Sequence, residues 1–197
     1  MDGNLAHKLD GHFDDQWEEL IDGKVVMMAP ARVNHHRVSA NIYSLFRDYL
    51  KGRKCEPFPD GVGLYLSNRE HYVPDMMVVC DPDKVKDKGI VGAPDLVVEV
   101  LSPGTAKNDR GHKKDVYERY GVREYWLVDP SNFTVEQYVL EDGKFVLRDV
   151  YHKYSTSWLA DMEEEERAAV VTEFKCSLYD DLLISLDEIF GRVFIDR

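Results

Sequence analysis

A glutamate interrupts the apolar run Leu96-Val97-Val98-Glu99-Val100-Leu101. A nearly continuous β-branched run reads as a central strand covered on both faces. An unpaired charge is costly there, and metal coordination or ion pairing is the usual remedy. Alternate strand residues share a face, so Asp95, Val97, Glu99 and Leu101 point one way. Asp95 and Glu99 are then roughly 13 Å apart along the strand, too far to share a cation whose oxygen ligands sit near ~2.1 Å. A carboxylate from a neighbouring strand, about 4.8 Å away, is within reach. Asp75, at the mouth of the run Met76-Met77-Val78-Val79-Cys80, is the best such donor. Two acidic ligands completed by waters and a phosphate oxygen suit Mg²⁺. A lysine beside them would polarise an attacking water or hold the phosphate.

The elements that must position these groups follow from periodicity and turn chemistry. Asp22-Gly23 is a turn signal, and the residues around it predict a hairpin near the start. Trp17 and Leu20 read as anchors of the first segment. Val38, Ile42, Leu45, Phe46 and Tyr49 recur at helical spacing, predicting a helix over His35–Leu50 with Asn34 as N-cap and Gly52 as stop. A short strand is expected at Gly63–Leu66 and a second helix over Asp109–Tyr120, ended by Gly121. Glu124–Pro130 reads as a strand, and Thr134–Leu140 with Lys144–Val150 as a hairpin around Asp142-Gly143. Ala160–Val171 reads as a short acidic helix and Ser185–Phe190 as a closing helix. The order predicts one α/β domain over 1–197 with a mixed sheet, in which 155–171 is an insertion or acidic helix.

The net charge is −12. A protein that grips nucleic acid usually carries a basic excess, so a polyanionic substrate requires a local basic face or divalent cations. Lys51, Arg53 and Lys54 form one basic segment; Lys107, Arg110, Lys113 and Lys114 form another. No apolar run reaches the roughly 20 residues of a membrane span, and Met1–Glu19 lacks a signal-peptide core. Cys55, Cys80 and Cys176 are far apart and unpaired in motif, which predicts reduced thiols, a cytoplasmic location and no zinc site.

The segment Pro94–Pro103 resembles the signature of the Uma-type restriction endonucleases, members of the PD-(D/E)XK nuclease superfamily. The likeness continues through Asp109-Arg110-Gly111-His112-Lys113, Tyr117 and Gly121–Pro130, and upstream through Glu19–Gly23, the His35 region and Val73-Pro74-Asp75. Leu186–Phe190 resembles the usual ending. The resemblance implies a restriction-endonuclease-like fold: a mixed central β-sheet flanked by helices, here with an extra N-terminal hairpin and a C-terminal extension. It implies that Asp75 and Glu99 are the acidic metal ligands. The lysine expected two residues after Glu99 is replaced by Leu101, and Lys113 of the following helix would substitute. Glu19, His35 and Tyr117 would be accessory residues. His112 occupies a position often acidic in relatives.

The expected activity is Mg²⁺- or Mn²⁺-dependent hydrolysis of phosphodiester bonds, with DNA as substrate by resemblance alone. A homodimer would supply the two sites that cutting a duplex needs. The alternative is a catalytically inactive nuclease fold used for binding; a hydrolase of other phosphoesters is a third reading. Asp95 reads as a structural residue, Asp109 as a helix N-cap rather than a ligand, Lys114 as a rival to Lys113, and the acidic run Glu163–Glu166 as a solvated face.

Overall fold

The computed structural model describes residues 18–28 and 30–194; Trp17, expected as an anchor, lies outside them. The chain opens with β1 (Glu18–Ile21) and β2 (Lys24–Met27), joined by Asp22-Gly23. Both turn residues have positive φ, 49° and 75°, as the tightest hairpin turn requires. Helix α1 (Val33–Leu50) follows and buries Val38, Ser39, Ile42, Phe46 and Leu50 along one stripe. Its N-cap is Arg32 rather than the expected Asn34. The Asn34 side chain instead donates to the Phe194 carbonyl (2.6 Å), tying the helix start to the far end of the described chain.

The strands β3 (Glu56–Pro59), β4 (Leu64–Tyr65), β5 (His71–Tyr72), β6 (Met76–Val79), β7 (Val85–Lys86), β8 (Gly89–Val91) and β9 (Leu96–Val100) come next. Helix α2 (Ala106–Asn108) passes through a π-helical turn (Asp109–Lys113) into α3 (Lys114–Tyr120). Gly121, at φ 83°, caps α3 as expected. After it lie β10 (Glu124–Asp129), β11 (Thr134–Glu141) and β12 (Lys144–His152). The expected single acidic helix is two short ones, α4 (Thr156–Asp161) and α5 (Glu164–Ala168), because Met162 and Glu163 between them are extended. The hairpin strands β13 (Glu173–Lys175) and β14 (Leu183–Ser185) precede α6 (Leu186–Ile189).

The main sheet has the order β12-β11-β10-β9-β6-β3, parallel between β9 and β10 and antiparallel elsewhere. This is the mixed, helix-flanked sheet anticipated from the sequence. Its central strands are buried on both faces, which explains their continuous apolar runs. One face packs Val98, Val100, Trp126 and Val128 against α1, α6 and the β13–β14 hairpin. The other packs Val97, Leu101, Tyr125 and Leu127 against α3 and residues of a second sheet, β2-β1-β5-β4-β8-β7. Glu99 alternates with Val98 and Val100, so it faces this second core.

The cysteine expectation fails. Cys55 precedes β3, Cys80 follows β6, and the pairing of Glu56 with Val79 sets the two cysteines opposite each other. They form a disulfide with Cα atoms 3.9 Å apart, while Cys176 remains a buried thiol. Spacing along the chain carried no sign of this, because only strand register brings the pair together.

Candidate active site

Glu99 is buried in β9 and meets Lys113 and Tyr117 from the helix that follows. Lys113 Nζ lies 2.8 Å from Glu19 Oε1, 3.2 Å from Glu99 Oε1 and 3.5 Å from Asp109 Oδ1. The Tyr117 hydroxyl donates to the same Glu99 oxygen at 2.8 Å. Both contacts fall on the same carboxylate oxygen, Glu99 Oε1.

The π turn explains how one helical segment turns Lys113 and Tyr117 toward Glu99 while keeping Asp109 beside Lys113. In a regular α-helix, each step of four residues drifts about 40° round the axis. A π turn holds more residues per turn, so a four-residue step drifts the other way. The step from Asp109 to Lys113 spans that turn, and the step from Lys113 to Tyr117 is α-helical. The two drifts offset each other and the three residues stay in line. Tyr125 fixes the turn, its hydroxyl donating to the Asp109 carbonyl at 3.0 Å.

Asp75 immediately precedes β6, opposite Glu99 in the antiparallel register that pairs Met76 with Val98. The backbone N–H of Val100 donates to Asp75 Oδ2 at 2.6 Å. His35, on the first turn of α1, places Nε2 3.3 Å from Asp75 Oδ1. Ser39, one turn later, donates to the Asp75 carbonyl at 2.8 Å. Glu19 comes from β1 and also accepts the Val73 N–H at 3.2 Å. The structure therefore brings together all six residues singled out in the sequence: Asp75, Glu99, Lys113, Glu19, His35 and Tyr117.

Electrostatics favour a cation here. Burial pushes the Glu99 carboxyl well above its ordinary range; Lys113 opposes this, while Asp109, Asp75 and Glu19 add to it. Asp109 is raised by burial as well. Lys113 is held well above its ordinary value, because Glu99, Glu19 and Asp109 together outweigh its desolvation. Burial depresses His35, but its hydrogen bond and charge interaction with Asp75 more than offset that and raise it.

A second buried strand carboxylate provides contrast. Glu124 in β10 accepts from Trp126 Nε1 and Gln137 Nε2 at 2.6 Å each, and from Ser177 N at 2.9 Å. Neutral donors satisfy it and, among the described residues, no ammonium is involved, so it is a structural solution to burying a charge. Glu99 has an ammonium and three neighbouring acids.

One residue of the site departs from its sequence reading. Asp109 is buried against Lys113 rather than serving as a surface cap; its four-residue spacing from Lys113 is the signal that was available. Asp95 is structural as expected, accepting from Cys80 N at 2.8 Å and pairing with Arg123. Lys114, the rival lysine, stands over the Tyr138 ring instead of at Glu99. Glu70 is buried beneath the site, taking the Tyr72 hydroxyl and lying 3.3 Å from His112 Nε2. Nothing in its sequence context marked it.

Residues 7–169 match the model of the Uma2 family, described as "Putative restriction endonuclease". The chain belongs to the Uma2 family. It is 33% identical over 146 residues to "Uncharacterized protein slr1290" of Synechocystis sp. (strain ATCC 27184 / PCC 6803 / Kazusa), covering 70% of each chain. It is 32% identical over 124 residues to "Uncharacterized protein sll1609" of the same organism, covering 61% of this chain and 70% of that one. In three dimensions it is similar to the crystal structure of "a putative nuclease belonging to DUF820" from Anabaena variabilis ATCC 29413. That likeness has a TM-score of 0.67 and 18% identity, and covers 90% of this chain and 91% of the other. It establishes that this Uma2 chain has a restriction-endonuclease-like fold. Among the described residues, no helix is long and apolar enough to cross a membrane.

Proposed function

We propose that this Uma2 protein is a divalent-metal-dependent endonuclease that hydrolyses phosphodiester bonds in DNA, with Asp75, Glu99 and Lys113 at its centre. The observation that carries this reading is the position of Lys113. Its ammonium meets Glu99 from the following helix, where a superfamily lysine is otherwise expected at position 101.

The donor set fits a hard cation. Three buried carboxylates, Glu19, Glu99 and Asp109, surround one buried ammonium, and a fourth, Asp75, lies opposite Glu99 on the neighbouring strand. The excess of carboxylates over cations favours a divalent ion with oxygen ligands. Asp75 and Glu99 would hold Mg²⁺ or Mn²⁺, which supplies Lewis-acid stabilisation of the phosphate and acidifies the attacking water.

The chain's own residues do the rest. Lys113 stays protonated at neutral pH because three carboxylates hold its proton. Its role is therefore to offset charge on the phosphate rather than to accept a proton. Glu19 and Asp109 fix its direction, and Tyr117 fixes the rotamer of Glu99. The Val100 N–H orients Asp75, and His35 keeps a proton within reach of Asp75 Oδ1. The basic residues nearby contribute little free charge: Arg110 is paired with Glu136, and Lys113 is buried. DNA approach therefore relies on Lys107, Lys114 and the bound cation. Cleavage of both strands calls for a homodimer.

A specific observation also favours a second reading, a catalytically inactive nuclease fold used for binding. Among the described residues, no three His, Cys, Asp or Glu side chains form a ready cation cage. Nicking of supercoiled plasmid with Mg²⁺, Mn²⁺ or EDTA separates the two. Activity is expected with metal only, and is expected to be lost in Asp75→Ala, Glu99→Ala and Lys113→Ala. Cleavage that survives in both acidic variants, or in EDTA, refutes the mechanism. No Mn²⁺-dependent nicking by a folded wild type supports the binding module.

A further inference from the structure

The segment 155–171 plays no part in the site above, yet it walls a cavity of about 800 Å³ with the C-terminal end of β12. Asp149, Val150, Tyr151 and His152 all line it. Consecutive strand residues point to opposite faces, so a cavity touched by four in a row lies against the strand's edge. β12 is the last strand of the main sheet, and its outer edge pairs with no strand among the described residues. It stands three strand spacings, about 14 Å, from β9 and Glu99.

The lining combines two chemistries. His152, Tyr154 and Trp158 form a set of near-parallel rings. His152 and Tyr154 stack at 4.4 Å and 7°, and Trp158 lies 5.7 Å from Tyr154 at 20°. Trp158 is 61% exposed, an unusual position for so large an aromatic. Asp149, Asp161 and Glu166 line the same cavity, and none of them forms an ion pair among the described residues. Of the nearby cations, Lys153 is paired with an acid, Asp187, and Arg167 is held by carbonyls of the cavity wall, those of Leu159 and Met162.

A flat aromatic surface can stack a nucleobase or a cation. The three lining carboxylates decide between them, because among the described residues they outnumber the one free cation beside them, Arg167, and so repel a phosphate backbone and attract a positive group. A guanidinium fits best: it is planar, stacks on rings, pairs with carboxylates through a fork of N–H donors and is weakly hydrated. The open edge of β12 and the exposed Val146, Leu147 and Val150 beside it favour an extended peptide as the source.

We propose that this cavity is a recognition site for an arginine side chain on a basic, extended segment of a protein partner. Isothermal titration calorimetry on the full chain tests it with four probes. These are a blocked hexapeptide of alternating arginine and valine, the same peptide with citrulline for arginine, blocked arginine alone, and a single-stranded oligonucleotide. Saturable binding of the arginine peptide is expected. It should weaken tenfold or more with citrulline, and also in the Trp158→Ala and Asp161→Asn/Glu166→Gln variants. These positions are exposed, and circular dichroism is the check that the variants fold. Equal binding of the citrulline peptide, or no binding up to millimolar concentration, overturns the proposal. Blocked arginine binding as tightly as the peptide overturns the peptide source. An oligonucleotide displacing the peptide overturns the choice of a cation. Plasmid nicking by Trp158→Ala is expected to match wild type, so this result stands apart from the catalytic reading.

Discussion

Replacing Lys113 by methionine isolates the interaction on which the site depends. Methionine keeps most of the buried apolar volume and removes only the ammonium. Glu19, Glu99 and Asp109, at 2.8, 3.2 and 3.5 Å from Nζ, then lose their shared partner. Removing one member of a buried ion pair costs about 3–5 kcal/mol, because the remaining charge stays buried and unpaired. In a chain of this size 1 kcal/mol moves Tm by about 2–4 °C, so Lys113→Met should melt about 6–20 °C below wild type at pH 7. Adding Glu99→Gln removes one orphaned charge, and the double variant should melt above Lys113→Met alone. Thermal melts followed by circular dichroism, with urea unfolding as a second measure, close the double-mutant cycle. Adding Mg²⁺ should raise the melting temperature of wild type, through Asp75 and Glu99. If Lys113→Met melts within 2 °C of wild type and Glu99→Gln brings no recovery, the ammonium is not a buried counter-charge and the electrostatic argument fails.

Three further outcomes follow from the same geometry. Glu99 has its folded-state carboxyl raised by burial, so the folded chain binds its proton more tightly than the unfolded chain. Its contribution is fully present below the ordinary carboxylate value and is lost as pH rises through the folded value. The stability of wild type minus that of Glu99→Gln should therefore fall as pH climbs above about 4.5 in metal-free buffer, and melts across pH read this directly. Cys55→Ser opens the loop closed across 25 residues and should lower stability by about 3 kcal/mol under oxidising conditions. Dithiothreitol should abolish the difference between the two proteins in urea unfolding. Gly89 has φ 137°, and a Cβ there would meet the Gly63 carbonyl oxygen at 2.4 Å. Gly89→Ala should therefore cost about 1–3 kcal/mol, seen as a lower urea midpoint.

Parts of this molecule were legible in its residues because their cause is local. Turn chemistry at Asp22-Gly23 and Asp142-Gly143 placed both hairpins, and both pairs adopt positive φ. Apolar periodicity placed α1, and the misfit of Glu99 in its strand marked the site. What stayed hidden was set by tertiary register. The Cys55–Cys80 disulfide exists only because β3 and β6 pair. The π turn leaves no mark in hydrophobic spacing, since one wider turn shifts the pattern by less than the spacing of apolar residues resolves. Asp109 was misjudged for the same reason: a helix-start aspartate reads as a cap until the turn that buries it is known.

Moving the lysine from strand to helix changes what the fold must supply. A lysine at position 101 would share a strand face with Glu99 and would be aimed by the pleat alone. Leu101 instead fills that place in the apolar core. An ammonium arriving from a helix sits at the end of a flexible four-carbon stem, and its direction must come from elsewhere. Glu19 from β1 and Asp109 one turn away supply it, and the π turn keeps Asp109, Lys113 and Tyr117 in register over Glu99. The acids that aim the lysine also deepen the negative potential at Glu99. A lysine arriving from the helix therefore favours a cation at this site more strongly than one on the strand would, because its own anchors add charge that only a cation can offset.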